Sequence, residues 1–275
     1  MAAGENQGHE FGKVSGSVKT GAAILGALSL APITFGLFIF IAATANIMAY
    51  SLPPDVSQRM VTALGIAIGI PSLASGIGMA FVNREAVYGI FQKPLSATWY
   101  VIIAALAEGV ALYGLVISFM IVGKHYDGMG FESATFLISA GIAVGLGVIG
   151  AVIGIIITIK NSGKEIAASL QVGTWVVIIA ALAEGVALYG FVIAFMIIGK
   201  VDFIMDHTSG KMIYSSAWIF GGLLVLSGLL VGFLPTKIAD GSDTNTWIKK
   251  IILAAVGESV ALIALVWMFM AIGRV

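Results

Sequence analysis

Cysteine is absent from the 275 residues, which excludes a disulfide frame, a thiolate metal site and a cysteine nucleophile. Charge is scarce too: 14 Lys and Arg balance 14 Asp and Glu, so charged residues make up 10% of the chain and the net charge is zero. A soluble domain carries about 25% charged residues. Neutrality argues against a nucleic-acid partner, which would call for a basic face. Histidine occurs only at His9, His125 and His207, outside the apolar runs and unclustered, as expected of solvated loop or tail residues.

What is present is apolar: 59% of residues are hydrophobic and the mean hydropathy is +1.06. A helix crossing the hydrocarbon needs about 20 apolar residues. Seven segments meet that length, at 21–50, 60–82, 98–123, 134–159, 174–199, 215–234 and 249–273. Backbone groups in lipid must be satisfied within the segment, and the runs lack the alternation of barrel strands. The fold class expected is therefore an all-α integral membrane protein. Lys13 and Lys19 precede the first run and an ATA triplet at 43–45 imitates a signal cleavage site. The run is much longer than the 7–15 apolar residues of a signal peptide, so it reads as a retained helix over 20–50 behind a polar tail, 1–19.

The remaining spans form a repeat. TWYVIIAALAEGVALYGLVISFMIVGK (98–124) and TWVVIIAALAEGVALYGFVIAFMIIGK (174–200) differ at four of 27 positions, and a diverged third copy begins at residue 246. A period of this length fits a two-helix hairpin. The units expected are 59–124, 134–200 and 214–275, each pairing a glycine-rich helix with a glutamate-bearing one. GxxxG spacings at Gly65/Gly69, Gly141/Gly145, Gly150/Gly154 and Gly228/Gly232 predict close backbone contacts. Nine of the 14 basic residues fall on the side of the intra-hairpin loops, which places those loops in the cytoplasm by the positive-inside rule.

Only Glu108, Glu184 and Glu258 lie deep within spans among all the ionisable residues. An ionised acid at the centre of a helix costs about 2.5–3.5 kcal/mol, so three in matching positions argue for function. The bland alternative is a protonated glutamate that merely bonds one helix to another. Desolvation disfavours the charged form, so each carboxyl is expected to be neutral in lipid and ionised only beside a cation. The spans hold no Lys or Arg to serve as that cation. The counter-charge must be an ion or come from another protein. Antiparallel counting sets Glu108 near Ser72 and Ser75 and Glu258 near Ser227, while Glu184 faces Ile149 and Gly150. Tyr113 and Tyr189 follow their glutamates by five residues, as supporting polar groups or as packing residues; the third copy has Ile263 there. Sodium needs several oxygen ligands. No common ligand set recurs, so H+ fits better than Na+, and no cofactor is expected.

SLASGIGMAFVNREAVYGIFQKP (72–94) and AALAEGVALYGLVISFMIV (104–122) resemble the first helix and loop, and the ion-carrying helix, of the proteolipid (c or K) subunit of rotary ATPases, the archaeal/V-type branch most of all. The resemblance covers residues 60–275, most weakly in the third hairpin. It implies a homo-oligomeric ring in membrane lipid, with glycine-rich helices inside and glutamate helices outside. It implies an arginine on a stator subunit as the missing cation and central-stalk subunits at the intra-hairpin loops, 83–97 above all. Ring rotation would couple ion flow to ATP synthesis or hydrolysis, in a cell membrane if the source is prokaryotic and in a vacuolar or other endomembrane if eukaryotic. By this resemblance Glu108, Glu184 and Glu258 are the ion-binding carboxylates. The chain departs from the family in having the extra first helix, no Gln inside the spans, and Ser259 and Ile263 in the third copy. A secondary transporter with repeated carboxylates is the rival reading, although its repeats are usually inverted.

Overall fold

The computed structural model describes residues 16–50, 52–124, 129–201, 207–238 and 243–274, with side chains from residue 26 onward and from Gly210 in the fourth stretch. Most of the expected polar tail, with His9 and His125, lies outside the described residues. These residues form eight α-helices: α1 Gly16–Met48, α2 Pro54–Leu64, α3 Ile70–Gln92, α4 Ala97–Val122, α5 Phe131–Ala168, α6 Leu170–Lys200, α7 His207–Phe233 and α8 Thr244–Ile272. A π-helical stretch, Gly65–Gly69, joins α2 to α3, so these two make one span and the described helices provide seven spans long and apolar enough to cross a membrane. Pro71 accounts for the widened turn. It has no N–H to offer the carbonyl of Ala67 and its ring crowds the preceding turn, and a π-bulge relieves both conflicts.

The helices outrun the apolar segments. α5 has 38 residues, about 57 Å at 1.5 Å per residue, against a hydrocarbon core of about 30 Å. α3 carries on through Asn83–Gln92 and α5 through Lys160–Ala168, so the connections inside the first two hairpins shrink to Lys93–Ser96 and Ser169. Apolar length reports the hydrocarbon, whereas helix length is set by where the backbone is stopped.

Two rows result. α5 packs between α3 and α7, and α6 packs between α4 and α8, with each glutamate helix also against its own glycine-rich partner. Lipid supplies no hydrophobic drive between helices, so close contact is set by small residues. Gly228 lies directly on the Gly150 backbone, and an added Cβ at Gly154 would sit 2.9 Å from the carbonyl oxygen of Gly228. Gly141 meets the Ala63 carbonyl in the same way, and Gly145 meets Ile66 and Ile70. Gly141/Gly145, Gly150/Gly154 and Gly228/Gly232 therefore fall along the α3–α5–α7 row, where backbones approach, whereas the expected contact at Gly65/Gly69 is not made: Gly65 faces the Phe40 ring of α1 and nothing lies within 4 Å of a Cβ at Gly69, because the π-helical stretch turns that face away from α5.

α1 extends the inner row. It touches α3 where Gly36 meets Ser72, where Ile33 lies on Gly76, and where Asn83 donates to Ser29 at 2.9 Å. At 100° per residue, Ser72, Gly76 and Asn83 stand about opposite Ile70, which packs toward α5. α3 is thus held between α1 and α5 much as α5 is held between α3 and α7.

Candidate ion-binding site

The residue before each glutamate is small and buried: Ala107, Ala183 and Gly257. Each packs on its own glycine-rich helix, Ala107 near Gly78, Ala183 on Gly154 and Gly257 against Leu230 and Val231. One residue further along a helix turns the side chain by about 100°, so the glutamates point sideways and outward, away from the inner row. Glu108 is exposed on the protein surface, whereas Glu184 and Glu258 are half-buried.

The first and third copies share a second inward contact. Ser75 Oγ donates to the Ala107 carbonyl at 2.7 Å, and Ser227 Oγ donates to the Gly257 carbonyl at 2.9 Å. Both hydroxyls are spent on the backbone just ahead of a glutamate rather than on its carboxylate. The second copy has Ala151 at the corresponding position. Ser72 lies instead against Gly36 of α1.

The two tyrosines act across copies. Tyr113 Oη on α4 donates to Glu184 Oε1 on α6 at 2.8 Å, and Tyr189 Oη on α6 donates to Glu258 Oε1 on α8 at 2.6 Å. Five residues on a helix amount to about 500°, or about 140° round the axis, with a rise of about 7.5 Å. A tyrosine so placed cannot face its own glutamate. Side chains lean toward the helix N-terminus, so it reaches back to the level of the carboxylate on the adjacent, parallel helix. The Tyr113 ring also packs on Phe191 of α6, with centroids 5.4 Å apart. Gly185 completes the arrangement, because a Cβ there would lie 2.9 Å from Glu258 Oε1. Sequence reasoning noted the tyrosines but not their direction or the role of Gly185. The five-residue spacing carried the first of these, since it rules out a bond within one copy.

The structure therefore joins Tyr113 with Glu184 and Tyr189 with Glu258, leaves Ser75 one bond removed from Glu108, and sets Ser72 on another face. Charged pairs keep to the helix ends: buried Lys250 lies 3.9 Å from Glu165, and Arg59 donates to Thr135 at 3.0 Å while its guanidinium sits over the Phe131 ring. A carboxylate facing outward at mid-span, closed by one neutral phenol, can take up and release a cation without a fixed counter-charge.

The chain matches the family of the ATP synthase C subunit over residues 62–121 and again over 138–197. It is 43% identical over 68 residues to the ATP synthase c subunit of Clostridium beijerinckii, a stretch that covers 23% of this chain and 94% of that relative. It is 37% identical over 64 residues to the ATP synthase c subunit of Syntrophomonas wolfei, covering 22% of this chain and 89% of that relative. The matched family segments fall on the first two hairpins.

Proposed function

The chain belongs to the family of the ATP synthase C subunit, and from that premise we propose that it is the ion-carrying rotor component of an archaeal/V-type ATP synthase or ATPase. It is an integral membrane protein with a non-catalytic role. Copies assemble into a ring with α3, α5 and α7 inward and α4, α6 and α8 outward. Glu108, Glu184 and Glu258 each carry one H+, neutral while they face lipid and ionised beside an arginine of a stator subunit. The protruding intra-hairpin ends, around Lys93–Ser96 and Ser169, meet the central stalk.

The observation that carries this reading is the row of three carboxylates on adjacent outer helices, each at mid-span and without an intramembrane cation. Neutrality in hydrocarbon is enforced by the cost of the charge, and release follows when a cation restores the ionised form. Protons are favoured by the donor set: Ser75 and Ser227 serve backbone carbonyls, and the second copy has alanine there, so no oxygen cage for a hard cation repeats.

The test is a hydrophobic carbodiimide applied to the intact complex. Modification of these glutamates with loss of ion-coupled ATPase activity is the expected result. Protection by sodium would replace H+ with Na+, and no modification at any of the three would overturn the rotor reading.

A further inference from the structure

The two phenol–carboxylate bonds run in one direction along the outer row, from each copy to the next. This gives Glu184 and Glu258 a phenolic donor but leaves the first carboxylate without one, because among the described residues no tyrosine-bearing helix stands ahead of α4 in the outer row. α1 stands ahead of α3 in the inner row and carries no glutamate helix of its own. The described tyrosine of that region, Tyr50, belongs to the turn after α1 at the end of a span, far from the mid-span level of Glu108. Glu108 is accordingly the most exposed of the three.

A second copy of the chain does not supply the missing group. The trailing edge of the row is α8, and the position equivalent to Tyr113 and Tyr189 is Ile263, whose side chain has no donor and is 70% exposed. The position equivalent to Gly185 is Ser259. Its Cβ occupies the space that Gly185 leaves for the next carboxylate, and its hydroxyl is already donated to the Val256 carbonyl at 2.7 Å. The phenol that bonds both Glu184 and Glu258, and the glycine that borders Glu258, are absent from the edge that a neighbouring chain would offer.

We infer that Glu108 is an ion station of a different chemical kind, one that closes without a phenolic donor, so that every chain brings two tyrosine-locked carboxylates and one unlocked one. The inference rests on the rotor reading above. The lock matters because a phenol bonded to Oε1 occupies one carboxyl oxygen and must be released before that oxygen can exchange its ion or react. Interhelical hydrogen bonds in membranes average about 0.6 kcal/mol and reach about 1.7, which corresponds to about three- to eighteenfold in a rate that requires the bond to open.

The experiment is a time course of dicyclohexylcarbodiimide labelling on the intact detergent-solubilised complex, with each glutamate quantified by peptide mass spectrometry. Glu108 is expected to label about three- to eighteenfold faster than Glu184 and Glu258. Exposure alone would also favour Glu108, so the deciding arms are Tyr113→Phe and Tyr189→Phe. These remove a hydroxyl and keep the ring, including its packing on Phe191. Tyr113→Phe should accelerate Glu184 and leave Glu258 unchanged, and Tyr189→Phe should do the reverse. Equal wild-type rates at all three sites, or a Tyr113→Phe variant in which Glu184 labels no faster, would overturn the inference while leaving the rotor reading in place. Failure of all three glutamates to label would instead remove the rotor reading itself.

Discussion

The junction between the first two hairpins and the free edge of the third are built from the same repeat, yet they differ where it counts. At the junction, Tyr113 crosses from α4 to Glu184, as Tyr189 crosses from α6 to Glu258 over Gly185. At the free edge, isoleucine and serine stand in place of tyrosine and glycine. The inward contacts of the third hairpin survive: Ser227 bonds the carbonyl before Glu258 as Ser75 does before Glu108. Divergence has thus kept the serine contact behind the carboxylate while changing the small residue before it, now Gly257, and the surface the hairpin shows to whatever comes next. A repeat can keep its fold and its site while losing what it lends to a neighbour.

The largest effect should come from removing a locked carboxylate. Glu184→Gln in the complex is expected to bring ion-coupled ATP synthesis down to background, because one neutral station that cannot ionise halts the row at the stator; retained synthesis would break the equivalence of the copies at its root. Next comes the glycine row that holds the junctions in register. Gly228→Val places branched carbons on the Gly150 backbone and should cost about 1–3 kcal/mol or more, read as a lower detergent melting temperature of the assembly. Gly222→Ala, where nothing lies within 4 Å, should leave that temperature unchanged or raise it slightly. Smaller still is Ser227→Ala, expected to cost about 0.6 kcal/mol, since the second copy already packs with Ala151 at that place. A much larger loss would show that the third hairpin depends on this bond as the second does not.

The smallest effect concerns the exposed start of α8. Asp243 accepts from the Thr246 hydroxyl and, at 2.9 Å, from its amide, and these bonds hold the carboxyl below the usual aspartate value of 3.8. A depressed value in the folded state means the cap contributes fully above the ordinary aspartate range. It fades as pH falls through the lowered value. Amide exchange in the first turn of α8 should therefore quicken on acidification below about pH 4 in the parent and show no such step in Asp243→Ala.

Much of this was legible in the residues. Long apolar runs announced seven spans, the near-identity of 98–124 and 174–200 pointed to paired hairpins, and three isolated carboxylates marked the candidate site. Helix ends were less legible, because Asn83–Gln92 and Lys160–Ala168 are polar yet good enough helix formers to carry on past the hydrocarbon. Direction across the row was hidden for another reason: Tyr113 belongs by sequence to the copy of Glu108 but by geometry to that of Glu184. The place of α1 was the least accessible. It meets α3 through Ser29, Ile33 and Gly36, too few polar or small residues to set a pattern against a helix that is apolar all round.

That place for α1 bears on how a rotor built from this chain would keep time. Among the described residues the chain has four spans in its inner row and three in its outer row. With α1 held beside α3, a second copy placed in the same row would meet α1 before it met α3. In the rotor proposed above, the repeating unit would then be the chain rather than the hairpin, with three carboxylates brought by each copy.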